Sequence, residues 1–170
     1  SLDAGATHVS VQRLTQRGLA TLLIRDDGEG VLPEMSREDA LHYLATHVGH
    51  SRKMGLDAAE RVRRVVAGKY GVGLLGFWAI GRVLELRTRV AGSDLFALRL
   101  EEDSPRAEIA RMPLRTDLPE TFTEAVVLGA HPAAQRLFAG RRLSDYLASE
   151  LRGQLLLRAV ELVVHDGMAR

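Results

Sequence analysis

Cysteine is absent from the 170 residues. That excludes a disulfide framework and any thiolate metal site, and it fits a reducing, cytoplasmic setting. Neither sign of charge is in excess. Lys and Arg number 23 against 22 Asp and Glu, a formal net charge of +1, so no whole-molecule field draws in nucleic acid or an anionic membrane, although local basic clusters stay open. No apolar run approaches the length that crosses a bilayer, and the first residues show no basic-then-apolar signal pattern. Internal repeats, low-complexity tracts and interdomain linkers are missing as well. What is present is 46% hydrophobic and 26% charged residues, the profile of a soluble globular domain with room for one core across residues 1–170.

Short alternating stretches predict strands over His8–Gln12 and Leu19–Arg25, joined at Arg17-Gly18, and over Arg82–Val90 and Leu95–Glu101, joined at Gly92-Ser93. Weaker alternation marks 107–112 and 123–128. Ser36 with Asp39 reads as a capping box opening a helix that carries Ala40, Leu41 and Leu44. Residues 46–56 are polar and glycine-containing and read as a mobile segment, followed by a short helix capped by Asp57 with Glu60. His131-Pro132 opens another helix and Gly140 closes it. Leu143, Tyr146, Leu147 and Leu151 recur at helical spacing before a last strand over 159–164. Strand pairs interrupted by helices predict an α+β two-layer sandwich rather than a doubly wound parallel sheet. Its sheet is mixed and mostly antiparallel, with helices on one face.

Two glycine-containing segments carry chemistry. In Arg25-Asp26-Asp27-Gly28-Glu29-Gly30 a carboxylate ends a buried strand, and the glycines let backbone approach a flat ligand. Asp26 is placed to accept a hydrogen bond from an exocyclic amine such as that of adenine. Alone, the pattern equally describes a tight turn, or part of a calcium loop whose further ligands are missing. The second segment is Gly68-Lys69-Tyr70-Gly71-Val72-Gly73, running into the apolar stretch 74–80. Free backbone N–H groups at a helix start attract an anion, and Lys69 adds a point charge. The bland alternative is a turn that lets a buried helix pack closely. A P-loop is excluded by the lack of Gly-Lys-Ser/Thr, and the glycine spacing does not match the dinucleotide fingerprint. No Gly-x-Ser-x-Gly elbow occurs. His42, His47 and His50 lack the spacing and partners of a zinc site, so no metal ligand is assigned. Phe77-Trp78 reads as core, and the basic residues Arg52, Lys53, Arg61, Arg63 and Arg64 as a solvated face or a phosphate-sensing lid.

Taken in order, Ser1-Leu2-Asp3-Ala4-Gly5-Ala6-Thr7, a strand, Asp26-Asp27-Gly28-Glu29-Gly30 and then Gly68 to Gly73 resemble the nucleotide-binding motifs of the GHKL ATPase superfamily. The opening is similar to MutL-type ATPases, and the glycine loop to heat-shock chaperones and MORC-type ATPases. The motifs span residues 1 to about 100; a looser similarity, to the last helix and strand of the chaperone domain, covers 141–165. This resemblance implies an ATP-binding domain using Mg²⁺. Asp26 would take the adenine amine, and Gly28 and Gly30 would line its pocket. Residues 35–67 would form a lid. Gly68, Lys69, Gly71, Val72 and Gly73 would cradle the phosphates, with Asp3 near the Mg–phosphate region. Thr123 would hydrogen-bond the adenine-binding carboxylate, although the family has Gly-Thr where this chain has Phe122-Thr123.

The first motif is expected to begin upstream of Ser1, making the domain N-terminally truncated. The family's water-activating glutamate and Mg-binding asparagine are then missing, no catalytic residue is assigned, and ATP hydrolysis by this chain is not expected. The resemblance further implies an ATP-gated conformational switch, acting as a chaperone-like or DNA-repair-like clamp. Its partners would be further domains of the same parent chain and a second copy in an ATP-gated homodimer, with nucleic acid left open and no membrane. The alternative is a non-catalytic interaction module that keeps the fold without nucleotide turnover.

Overall fold

A computed structural model of the protein describes residues 4–53, 76–104, 106–114, 118–157 and 159–169, with the side chains of 47–53 and 166–169 outside that description. The chain runs β1 (His8–Gln16), β2 (Leu19–Asp26), α1 (Arg37–Lys53), α2 (Phe77–Ile80), β3 (Gly81–Arg89), β4 (Leu95–Glu101), β5 (Ala107–Met112), β6 (Phe122–Ala130), α3 (Pro132–Leu137), α4 (Arg142–Glu150), α5 (Arg152–Leu157) and β7 (Glu161–Ala169). The seven strands form one sheet in the order β5-β4-β3-β6-β2-β1-β7. Every pairing is antiparallel except that of β7 with β1. This is the mixed, mostly antiparallel α+β sandwich that the strand and helix pattern predicts. No described helix is long and apolar enough to cross a membrane.

Local chemistry accounts for the joins. Arg17 and Gly18 both take positive φ, 52° and 77°, as a two-residue hairpin between right-twisted strands requires. In the β3–β4 hairpin the Ser93 amide and hydroxyl both donate to the Val90 carbonyl, at 2.9 and 2.7 Å. Ser36 Oγ accepts the Asp39 amide at 3.1 Å and donates to the Asp39 carboxylate at 2.6 Å, so Ser36 caps α1 as expected, with Asp39 answering through the hydroxyl. That helix continues through 46–53, where the sequence suggested a mobile segment. Once its first turns are packed, each further residue adds a backbone hydrogen bond without a new nucleation cost, and Gly49 is crossed at about 1 kcal/mol. The helix expected near 57–60 lies outside the described residues. At the C-terminal end the helical stretch breaks at Leu151 into α4 and α5, and β7 begins at Glu161.

One face of the sheet is apolar. Its rows run Val11–Ile24–Ala125–Leu86–Leu98 and Leu22–Val127–Leu84–Leu100 across the paired strands. Onto these rows pack Leu41 and Leu44 of α1, Phe77 of α2, Ala134 of α3, Phe138, and Leu143 of α4, in one continuous core. The opposite face carries charge. Arg25 and Arg87 flank the buried Glu124, and Glu85, Arg99 and Glu101 extend the alternation towards the β4 side. The Glu101 hydrogen bond is the chief cause holding the Arg99 guanidinium above its usual value.

Candidate functional site

The next row of the core-facing side is polar at its centre: Val9, Asp26, Thr123, Thr88 and Phe96 are register partners across β1, β2, β6, β3 and β4. β2 lies between β1 and β6, so its last residue, Asp26, is only 4% exposed. The Gly28 amide donates to Asp26 Oδ1 at 3.0 Å, an Asx-type turn that swings the chain out of the sheet. Thr123 stands beside Asp26 and keeps part of its surface open. Phe122 alternates to the opposite face, where it is buried. The phenylalanine that stands where the resemblance leads one to expect glycine therefore puts no ring beside Asp26. Thr88 is fully buried; its hydroxyl accepts the Val31 amide at 3.0 Å and donates to the Phe122 carbonyl at 3.4 Å. The Asp26-to-Val31 turn is thereby fastened to the sheet at both ends.

Both glycines of that turn are held by close packing within the chain. A Cβ on Gly28 would lie 2.8 Å from the Ala4 carbonyl oxygen and 3.0 Å from Asp26 Oδ1. A Cβ on Gly30, whose φ is +92°, would lie 2.7 Å from both the Arg89 carbonyl oxygen and Val90 Cγ2. Beyond the turn, the Arg37 guanidinium donates to the carbonyls of Val31, Leu32 and Met35. It thereby pins a loop in which Leu32 takes a positive φ of 45°. Burial lowers the Arg37 pKa, with Glu34 opposing the shift.

Asp27 has a task separate from that of Asp26. Its Oδ1 accepts the Thr7 and His8 amides, each at 2.8 Å, and its Oδ2 accepts the Thr7 hydroxyl at 2.6 Å. The Asp27 amide donates to the His8 carbonyl at 3.2 Å, and the Glu29 amide to the Ala4 carbonyl at 3.1 Å. Burial alone would raise the Asp27 carboxyl, but the bonds from Thr7 and His8 outweigh it and hold it below the usual value of 3.8. Sequence reasoning passed over Asp27, Thr88 and Arg37. The adjacent carboxylates at the strand end were visible, but their partners lie on other segments.

The structure brings Asp26, Gly28, Gly30 and Thr123 to one end of the sheet. Asp3, Gly68, Lys69, Gly71, Val72 and Gly73 lie outside the described residues, as do Arg61, Arg63 and Arg64. Of the expected lid, residues 37–44 sit on the sheet through Ala40, Leu41 and Leu44, whereas 54–67 lie outside the described residues. Phe77 is buried with its ring centroid 3.8 Å from that of Trp78, in keeping with a core role. His42 is exposed on α1, and no three His, Asp or Glu side chains gather for a metal among the described residues. A cavity of about 490 Å³ opens between the start of α1 and the β3–β4 hairpin, lined by Arg37, Arg89 and Phe96 among others, and it includes neither Asp26 nor Thr123.

Compared with known protein families, residues 1–114 match the model described as "Histidine kinase-, DNA gyrase B-, and HSP90-like ATPase". No curated protein matches the chain.

Proposed function

The chain belongs to the histidine kinase-, DNA gyrase B- and HSP90-like ATPase family, and from that premise we propose that its Asp26 end binds the adenine of ATP. One observation carries the reading: a buried carboxylate ends β2 with one oxygen engaged by the Gly28 amide and Thr123 alongside. A fixed acceptor at a buried strand end selects an exocyclic amine over a carbonyl, because a carbonyl oxygen there would face the carboxylate with no proton to donate. This acceptor fits the exocyclic amine of the purine. Gly28 and Gly30 hold the turn against the sheet, and Thr123 orients the Asp26 carboxylate.

The remaining parts of the proposal rest on the resemblance. Gly68, Lys69, Gly71, Val72 and Gly73 hold the phosphates, with Asp3 near the Mg²⁺ that neutralises them. Of the segment 35–67, the part beyond the packed residues 37–44 forms the lid, and its closure is the output. ATP drives that closure only by its differential affinity for the open and closed states. The Leu2-to-Thr7 opening favours a DNA-repair-like clamp; the helices and strand over 141–165 favour a chaperone-like one. The rival reading, an interaction module without nucleotide, drew in part on Phe122 standing in place of glycine. Phe122 faces away from Thr123, which weakens that support.

The test is calorimetric titration of Mg-ATP into the protein, with Asp26→Asn as the control. Micromolar-range binding that the substitution weakens by roughly 10- to 100-fold, the worth of one charge-assisted bond, is the expected result. Absence of binding by the folded protein would overturn the nucleotide reading, and the interaction module would lead.

A further inference from the structure

In the first-motif segment, Ala4 to Thr7, Ala6 is buried and polar contacts fix the residues on either side of it. Gly5 takes a positive φ of 67°, and Thr7 is exposed. Among the described residues, two neighbours hold the segment's polar groups. On one side the Glu161 amide of β7 donates to the Thr7 carbonyl at 2.8 Å, and His8 Nδ1 lies 3.1 Å from the Glu161 carboxylate. On the other side stands Asp27, whose single carboxylate takes the amides of two consecutive residues and the Thr7 hydroxyl. The bonds from the Asp27 amide to His8 and from the Glu29 amide to Ala4 run parallel to these. Through them Ala4 is drawn against Gly28, so closely that a Cβ there would meet its carbonyl at 2.8 Å. Gly28 in turn holds Asp26 Oδ1.

We infer that Asp27 is a positioning residue of the nucleotide site. It sets the spacing between the segment carrying the first motif and the turn carrying Asp26, without touching nucleotide itself. The inference rests on the nucleotide reading above. Adenine bound at Asp26 and the phosphates of the same nucleotide belong to one ligand of bounded reach, so displacing the first-motif segment from the Asp26 turn weakens binding. Asp27 is the side chain that spans them. Asparagine preserves the geometry: its carbonyl oxygen accepts both amides, and its amide donates to the Thr7 hydroxyl. Alanine preserves none of it.

The experiment titrates Mg-ATP into the wild type, Asp26→Asn, Asp27→Ala and Asp27→Asn, well below the lowest unfolding midpoint and with each variant checked for native circular dichroism. The expected result is binding weakened about tenfold or more by Asp27→Ala and recovered to within about threefold by Asp27→Asn, the range that loss of hydrogen bonds to a charged group spans. Asp27→Ala that is folded, has a lowered midpoint and binds Mg-ATP like the wild type would make Asp27 merely structural and overturn the inference, while the nucleotide reading would stand on Asp26→Asn. Failure of the wild type to bind overturns both. Should Asp27→Ala not fold, Thr7→Val removes only the hydroxyl bond. A loss of about two- to fivefold then supports the inference, and unchanged affinity overturns it.

Discussion

Two glycines with similar backbone angles make opposite demands on space, and the pair gives a sharp test of how the Asp26 turn is held. Gly30 has φ +92° and Gly92 has φ +70°, so alanine at either place is forced into a conformation that costs an L-residue about 1–2 kcal/mol. At Gly92 nothing lies within 4 Å of the added carbon, and that strain is the whole cost. At Gly30 the carbon meets the Arg89 carbonyl and Val90 Cγ2 at 2.7 Å. The carbonyl belongs to the end of β3, whose register with β6 resists movement, and overpacking of this kind adds about 1–3 kcal/mol. Gly92→Ala should therefore lower stability by about 1–2 kcal/mol and Gly30→Ala by about 2–5 kcal/mol. For a domain of this size each kcal/mol corresponds to roughly 2–4 °C in midpoint. Thermal and urea denaturation of both variants against the wild type would measure the difference. Equal losses would show that the turn yields without cost, and the close approach of Gly30 to β3 would no longer count as a constraint on the site.

On the charged face, Glu124→Ala removes a carboxylate that is 3% exposed and bridges Arg25 and Arg87, which are 41% and 29% exposed. The arginines regain water, so the loss falls below that of a fully buried pair, at about 2–3 kcal/mol by urea denaturation. A change within the error of the fit would mean that the ladder contributes nothing. Asp27 adds a pH dependence with a definite sign. Its folded pKa is depressed below the ordinary 3.8, so its stabilisation is fully present above that value and is lost as pH falls through the depressed one. The midpoint advantage of the wild type over Asp27→Asn should shrink as pH drops below about 4, where carboxylates take up protons. A difference that stays constant across the acid range would refute the assignment.

Much of the fold and part of the site were legible in the residues. The β3 and β4 alternation, with Leu84, Leu86 and Leu98 on one face, names the buried side because side-chain direction in a strand is a local property. Ser36 with Asp39 and Pro132 mark helix starts for the same reason: cap and helix are a few residues apart. The helix that Pro132 opens, by contrast, ends at Leu137 with Phe138 as its cap, before Gly140. Asp26 was legible as a carboxylate at a strand end before two glycines. The partners that give it meaning were not, since Thr88 holds the turn from β3 and Arg37 from α1. The length of α1 was misjudged because polar residues beyond Leu44 carry no periodic signal, whereas packing of its first turns decides whether it propagates.

By itself the sequence determined the strands and helix starts, the apolar face, and the order of two glycine motifs about Asp26 and Gly71. Only tertiary structure decided that β6 enters between β3 and β2, bringing Thr123 beside Asp26. It also decided that β7 pairs parallel with β1, and that Asp27 closes on Thr7. The division has a physical cause. Strand and cap signals depend on neighbours a few bonds away, whereas pairing order depends on which loop closures bury the most apolar surface across the whole chain, a quantity no local pattern contains.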